Sequence, residues 1–302
     1  TTGNAPSSGG TVHGSWAYLA KGAAGSPTTT RGDIIRRGAS ADERLAKGTE
    51  GQILTMGAND PAWAAPAAGG SNANIIINGD GDICQRATSQ ASVSNGSNED
   101  YCVWDRWAPF CKGGSTGVAT LSRATDSPAH PNPKFGTSLK VDVTTADAGV
   151  DADALWTIYQ AIEAQNLAGS GWDYTSASSY ITLSFWVKSS VAQNFYCRLE
   201  TADGTGQNFP FETGSLTAFT WTKITKTIPG NANLTFNNDN GTGIELHWEM
   251  FRGTDFTDNS VSNDTWAAYA SGTRTKDATS TWYTTNDASF QITGVQLEVG
   301  PV

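Results

Sequence analysis

Between residues 180 and 189 the chain reads YITLSFWVKS, with Ile181, Leu183, Phe185 and Val187 at every second position. A two-residue apolar period suits a β-strand, because successive strand side chains leave on opposite faces. It also fixes which face turns to the core, since a one-residue slip would invert every side chain. The same period returns in GVATLSRA (117–124), SLKVDVTT (138–145), NFYCRLET (194–201), FTWTKITKTI (219–228), GIELHWEMF (243–251) and ASFQITGVQLEV (288–299). The apolar run NIIIN (74–78) and the aromatic YCVWDRWAPF (101–110) add two further strand candidates. Turn residues separate nearly all of these segments. The expectation is an all-β fold, with a β-sandwich or jelly-roll domain over residues 71–302. Composition agrees: 33 Gly, 11 Trp and only 16% charged residues suit short strands and many turns better than helices.

Residues 1–70 read differently. Gly recurs at 25, 32, 38, 48, 51 and 57, and the short apolar pieces between them cannot bury their own side chains. No helical stripe outlasts SADERLAK (40–47). So few apolar groups cannot offset the entropy of ordering the chain. Such a segment is either disordered or orders by pairing with copies of itself. The anchors Trp16, Tyr18, Ile34, Ile35, Leu45, Ile53, Leu54 and Trp63 favour pairing. In a homotrimer each anchor would meet its two copies on the axis. Residues 65–74, APAAGGSNAN, read as a hinge.

Charge and cysteine content exclude several roles. The first 70 residues hold six basic and five acidic residues, and the remainder holds 13 and 24. An acidic, aromatic-rich body lacks the clustered cations that phosphate contacts need, so no nucleic-acid partner is expected. No apolar run approaches a membrane helix, and membrane insertion is not expected. There is no start Met and no signal-like segment, which leaves a processed and a trimmed chain both open. Cys84, Cys102, Cys111 and Cys197 show no zinc spacing. Cys102 and Cys111 could meet across a hairpin, or all four could be small buried hydrophobes in a reducing cytoplasm.

One stretch resists the strand reading. DADALWTIYQAIEAQNLA places Leu155, Ile158, Tyr159 and Ile162 at helical spacing after a cap candidate at Asp153.

Two segments carry a resemblance. GDIIRRGASADERLAKGTEGQILTMGANDPAWA (32–64) resembles the stem unit that tailed-phage fibre proteins place before a receptor-binding head. NIIINGDGDICQR, YCVWDRWAPF, ITLSFWVKSS and ITGVQLEVG, in that order, resemble the jelly-roll domain found at the ends of phage tail fibres and related virion proteins. That domain is similar to carbohydrate-binding modules. Relatives often continue past Leu-Glu-Val-Gly, whereas this sequence stops at Val302. The resemblance implies an extended N-terminal stem (1–70) that anchors the chain to other virion proteins, a glycan-binding head, and a place on the virion surface. It also implies that YQAIEAQNL is a strand running into a loop, which overrides the helical spacing. Structural calcium is the one cofactor it suggests: Asp80 and Asp82 in NGDGD, with Glu298 on the last strand, would hold it, the alternative being Asx-turn bonding.

The residues point to binding rather than catalysis. His13, His130 and His247 form no triad with a nucleophile elbow, and the paired carboxylates Asp80/Asp82, Asp151/Asp153 and Glu245/Glu249 cannot be placed across a cleft from spacing alone. The chain is therefore expected not to be an enzyme. Strand parity leaves Trp186, then Tyr196, Arg198 and Glu200, then Glu245, His247, Glu249 and Phe251 on outer faces. Aromatic plates covering sugar C–H faces, with charged groups bonding hydroxyls, make a saccharide surface. If the three strands share a sheet, Trp186, Tyr196, Arg198, His247 and Glu249 are its ligand residues, and a host-surface polysaccharide is the partner. The alternative is that Trp186 is capped by a loop or a neighbouring chain. The function this supports is a virion fibre or spike that attaches to host glycans, with a ligand-free capsid-decoration or collar part as the alternative and a polysaccharide depolymerase as a third. Arg31-Gly32-Asp33 matches an integrin-binding tripeptide, and sequons fall at Asn95, Asn233, Asn240 and Asn263. Both follow from the stem motif and the Ser/Thr/Asn-rich composition.

Overall fold

The computed structural model describes residues 28–57, 59–64, 74–96, 101–113, 116–125 and 136–301. His13, Trp16, Tyr18, His130 and most of the expected hinge lie outside them. The chain divides into two units, Thr1–Gly70 and Ser71–Val302.

The first unit holds two hairpins. Strands β1 (Ile34–Arg37) and β2 (Asp42–Leu45) pair antiparallel, as do β3 (Ile53–Met56) and β4 (Pro61–Ala64). SADERLAK thus becomes a turn and a strand. Polar bonds tie the pieces together. Arg36 Nη1 donates to Pro61 O at 3.1 Å, and Trp63 Nε1 donates to Ala46 O at 2.7 Å. Asp33 accepts Arg44 Nε at 2.7 Å and the backbone N–H groups of Thr29, Thr30 and Lys47. The Arg44 bond leads, with the three amides behind it, in holding the Asp33 carboxyl well below the usual range. The Asp of the Arg-Gly-Asp tripeptide is thus a structural tie. No described residue of 28–64 is buried: Ile35, Ile53 and Leu54 are about half exposed, and Ile34, Leu45 and Trp63 are half-buried.

The second unit is a β-sandwich of two six-stranded antiparallel sheets. The first runs β13 (Thr222–Pro229), β10 (Tyr180–Ser189), β16 (Ser289–Val299), β8 (Ser138–Thr145), β7 (Val118–Ala124), β5 (Ser89–Val93). The second runs β15 (Ala267–Ala268), β12 (Gln207–Ser215), β11 (Asn194–Thr201), β14 (Thr242–Arg252), β9 (Leu155–Glu163), β6 (Ala108–Lys112). The inward parities are those the alternation predicts: Ile181, Leu183, Phe185 and Val187 face Phe195, Cys197, Leu199, Ile244, Leu246 and Trp248 in one core. Aromatic edges knit it, with Trp248 5.1 Å from Trp107 and 5.4 Å from Phe185. Both Trp104 and Trp107 are buried, and so are Trp172, Trp266 and Trp282, which pin connections into the core. Cys102 and Cys111 form no disulfide with each other.

Several segments depart from the expected strands, YCVWDRWAPF among them: residues 101–107 form bends and turns, and the strand begins only at Ala108. LWTIYQAIE is a strand, and the expected loop after it is the short helix α1 (Ala164–Ala168). Residues 74–78 form bends rather than a strand, because side chains take the ladder positions. Asn74 Oδ1 accepts from Leu297 N at 2.8 Å and Ile76 N at 3.1 Å, while Gln160 bonds both Ile77 N and Ile77 O. Strand β13 begins at Thr222 rather than 219, since Phe219 adopts φ 57 and turns the chain.

Candidate functional site

The outer face of the second sheet carries a cleft of about 170 Å³. Strand parity supplies most of its walls. With Trp156, Ile158 and Gln160 inward, β9 presents Thr157 and Tyr159 outward, and β6 adds Phe110 beside Thr157. Strand β11 gives Arg198 and Glu200, and β14 gives Glu245 and His247 as their cross-strand partners. A β-bulge at Met250 then reverses the parity of β14. Phe251, expected outside, pairs with Trp156 and packs on the core against Tyr283, and Arg252 emerges into the cleft instead. The connection 253–288 returns with Tyr269 and Arg274.

A buried ion-pair network underlies the cleft. Arg198, with 2% of its side chain exposed, donates from Nε to Glu249 Oε1 at 2.8 Å and pairs through Nη1 with Glu200. Arg252 pairs with the same Glu249 oxygen. Burial pushes the Glu249 carboxyl up, but Arg252 and Arg198 outweigh it and hold the group below its usual range. Burial, joined by the like charges of Arg198 and Arg274, lowers Arg252 to about 10 despite Glu249. Burial, followed by the positive charges of Arg198, Arg252 and Arg274, pushes His247 well below the usual imidazole range. His247 is therefore neutral near pH 7. It donates from Nε2 to Glu245 Oε2 at 3.0 Å, stacks on Tyr159 at 5.2 Å, and leaves Nδ1 without a hydrogen-bond partner.

Of the sequence-predicted ligand residues, Arg198 and His247 line the cleft. Glu249 lies beneath them, and Tyr196 is buried under the connection 253–288, near Asn263, Thr257 and Thr275. Trp186 does not join them. Its strand β10 belongs to the first sheet, so its outward parity puts it on the opposite side of the sandwich. The condition that three strands share one sheet holds for two. Parity could also have found Tyr159, which lies on the stretch YQAIEAQNL that the resemblance already reads as a strand. Arg252 was hidden by the bulge, and Tyr269 and Arg274 by a connection whose path no local pattern reveals.

The calcium set is not assembled. Asp82 is exposed and pairs with Arg123 at 3.8 Å, Glu298 stands on β16 opposite Thr182, and Asp80 contributes its backbone oxygen to Thr137 Oγ1. The NGDGD turn is held instead by Asn78, whose side chain accepts from Ile83 N and donates to Ile83 O. Gly81 at φ 71 lies against the Trp104 indole where a Cβ would collide. Among the described residues the His/Cys/Asp/Glu group with mutually close ligand atoms is Glu200, Glu245 and His247, within 4.8 Å of one another. Arg198 already engages Glu200, and Glu245 engages His247, so the set serves as a hydrogen-bonding wall of the cleft.

No helix among the described residues is long and apolar enough to cross a membrane. No family model matches the chain, and no curated protein matches it. Solved structures with similarity include the enzymatically active domain of tailspike protein 4 of bacteriophage CBA120, at 13% identity and a TM-score of 0.36, covering 75% of this chain and 21% of that one. A structure described as CBM4 matches at 14% identity and 0.37, over 74% of this chain and 99% of that one. The family 11 carbohydrate-binding module of a Clostridium thermocellum cellulosomal cellulase matches at 12% and 0.33, over 65% and 88%. The chain thus spans about a fifth of the tailspike chain. At such identities and scores, the assignment of a ligand rests on the geometry of the cleft.

Proposed function

We propose that the protein is a non-catalytic saccharide-binding fibre of a virion surface. Its head holds a glycan of the host surface, and its stem joins copies of itself and attaches to other virion proteins. The observation that carries the binding half is the cleft, where Phe110, Tyr159 and Tyr269 line the same space as Arg198, Glu200, Glu245 and His247. Rings cover the C–H faces of pyranoses while fixed polar groups take the hydroxyls. The buried Arg198–Glu249–Arg252 network holds those groups in place before any ligand arrives, which limits the ordering cost of binding. The fibre half is supported by the resemblance of residues 32–64 to phage stem units and by the exposed Ile35, Ile53 and Leu54. Single weak sites then gain about 10²–10⁴-fold when several copies engage one surface.

The test is retention of the whole chain on a panel of immobilised bacterial polysaccharides. Tyr159→Ala is expected to abolish retention, while Trp186→Ala, on the other face, leaves it unchanged. Silence of the parent protein across the panel would favour a ligand-free decoration part.

One observation favours hydrolysis as a second reading: the carboxylates of Glu200 and Glu245 come within 4.8 Å, near the roughly 5–5.5 Å of retaining glycosidases. Both are committed to Arg198 and His247, which suits binding better. New reducing ends after incubation with a retained polysaccharide would overturn that preference.

A further inference from the structure

The cleft is electrically lopsided. Glu200, Glu245 and neutral His247 form one wall. The cleft's two other arginines, Arg252 and Arg274, gather with Lys112 on the ring of Phe256 behind the lining: Arg274 at 4.9 Å, Lys112 at 5.6 Å and Arg252 at 5.7 Å. Their counter-charge is short. Glu249 is shared between Arg198 and Arg252, and among the described residues no carboxylate forms an ion pair with Arg274 or Lys112. On the connection 253–288, Asp258 accepts from Ser260 N at 2.7 Å and Asp277 from Thr257 Oγ1 at 2.6 Å.

Hydrogen-bond capacity is short as well. Arg252 has 4% of its side chain exposed, yet its Nε and Nη1 find no acceptor, and neither does Arg274 Nε. A buried guanidinium with open donors is costly and is normally completed by an anion. Nε and Nη1 lie on different edges of the guanidinium and Nη2 is held by Glu249, so a carboxylate meets these donors through single charge-assisted bonds. Tyr269, 5.4 Å from the Arg274 guanidinium, stands beside the same spot as a plate for a sugar ring.

Resting on the saccharide reading of the cleft, we propose that the Arg252–Arg274 end is a subsite for the carboxylate of an acidic sugar residue, so that the protein selects acidic over neutral glycans. The formal charge of −10 works against this selection. The molecule as a whole repels polyanions, so retention of an acid must come from the local donors rather than from a general field.

Saturation-transfer NMR on the whole chain tests it, with glucuronate and glucose as the observed ligands and sodium sulfate as a competitor read by displacement, all at constant ionic strength. Glucuronate is expected to bind about tenfold more tightly than glucose, the ratio that one added charge-assisted contact supplies. Arg274→Gln should erase most of that ratio by weakening glucuronate far more than glucose, with the melting temperature unchanged, and Arg274→Lys should restore it only in part. Arg252→Gln should act in the same direction, and its near-UV spectrum reports whether the head stays folded. Equal binding of glucuronate and glucose would overturn the acidic subsite and leave the saccharide reading standing. Binding of neither sugar would overturn both. Sulfate binding as tightly as glucuronate and displacing it would overturn the subsite in favour of a plain anion site.

Discussion

Trp63 and Trp248 are both indoles on β-strands, and they sit in different surroundings. Trp248 is fully buried between Trp107 and Phe185. Trp63 is half-buried, rests on Gly48 and spends its N–H on Ala46 O. The contrast extends to the two units. The second unit, the proposed head, closes an apolar core between two sheets, whereas the first, the proposed stem, has two four-residue hairpin pairs and no buried residue among those described. Isolated hairpins are marginal in water. The head therefore holds its form by apolar burial, and the stem by polar ties such as Asp33–Arg44 and Arg36–Pro61, with its apolar side chains left facing outward.

The sharpest way to break this comparison is to delete the same kind of contact in both places. Trp248→Ala should cost the head about 3–5 kcal/mol, read as a loss of denaturant midpoint by near-UV circular dichroism. Trp63→Ala should leave that midpoint within about 0.5 kcal/mol. A loss at Trp248 no larger than at Trp63 would mean that the sandwich is not organised around its tryptophan cluster.

The same division governs what could be read from the sequence. Alternation located the bounds of β8, β10 and β11 and the inward set of each, because a strand with one buried face must repeat every two residues. It failed for β12, where Pro210 sits between Phe209 and Phe211, and for β5, whose SQASV carries one apolar anchor and a residue at positive φ, Ser92. The candidate site was legible to the extent that it is made of strand faces: Arg198, Glu200, Glu245 and His247 follow from parity. Which strands share a sheet does not, because sheet membership is set by long connections, and that is why Trp186 fell on the wrong side. The Met250 bulge exchanged Phe251 for Arg252, and a bulge has no local signature in GIELHWEMF.

Acid separates the two regions by a smaller energy. In the head, His247 is held neutral, with its folded value below the roughly 6.5 of an unfolded chain. Its contribution is complete above that value and is lost as pH falls through it, because protons then favour the unfolded state. The slope is at most about 1.4 kcal/mol per pH unit. His247→Gln should flatten the head's denaturant midpoint between pH 7 and about 5. In the stem the sign is that of a carboxylate. Asp33 is lowered by Arg44, so its contribution holds from neutral pH down to about 4 and is lost only below. Hydrogen exchange at the Thr30 and Lys47 amides should therefore stay slow at a pH where the head is already weakened. Loss of that protection before the head softens would reverse the comparison.

The smallest energy, and the most diagnostic of the stem, concerns the exposed side chains themselves. Ile53 and Leu54 are about half exposed in a single chain, so replacing both with Ser removes little from it, within about 0.5 kcal/mol per site. If those faces meet their counterparts in neighbouring copies, the same double change deprives every copy of apolar contact at once, and the effect multiplies with the number of subunits. Sedimentation velocity of the intact chain should show a trimer that falls to monomer in Ile53→Ser/Leu54→Ser, with the head's spectrum unaltered. A parent chain that sediments as a monomer would leave the stem's apolar side chains without an axis to share, and its order would then rest on its two hairpins and the ties of Asp33, Arg36, Arg44 and Trp63.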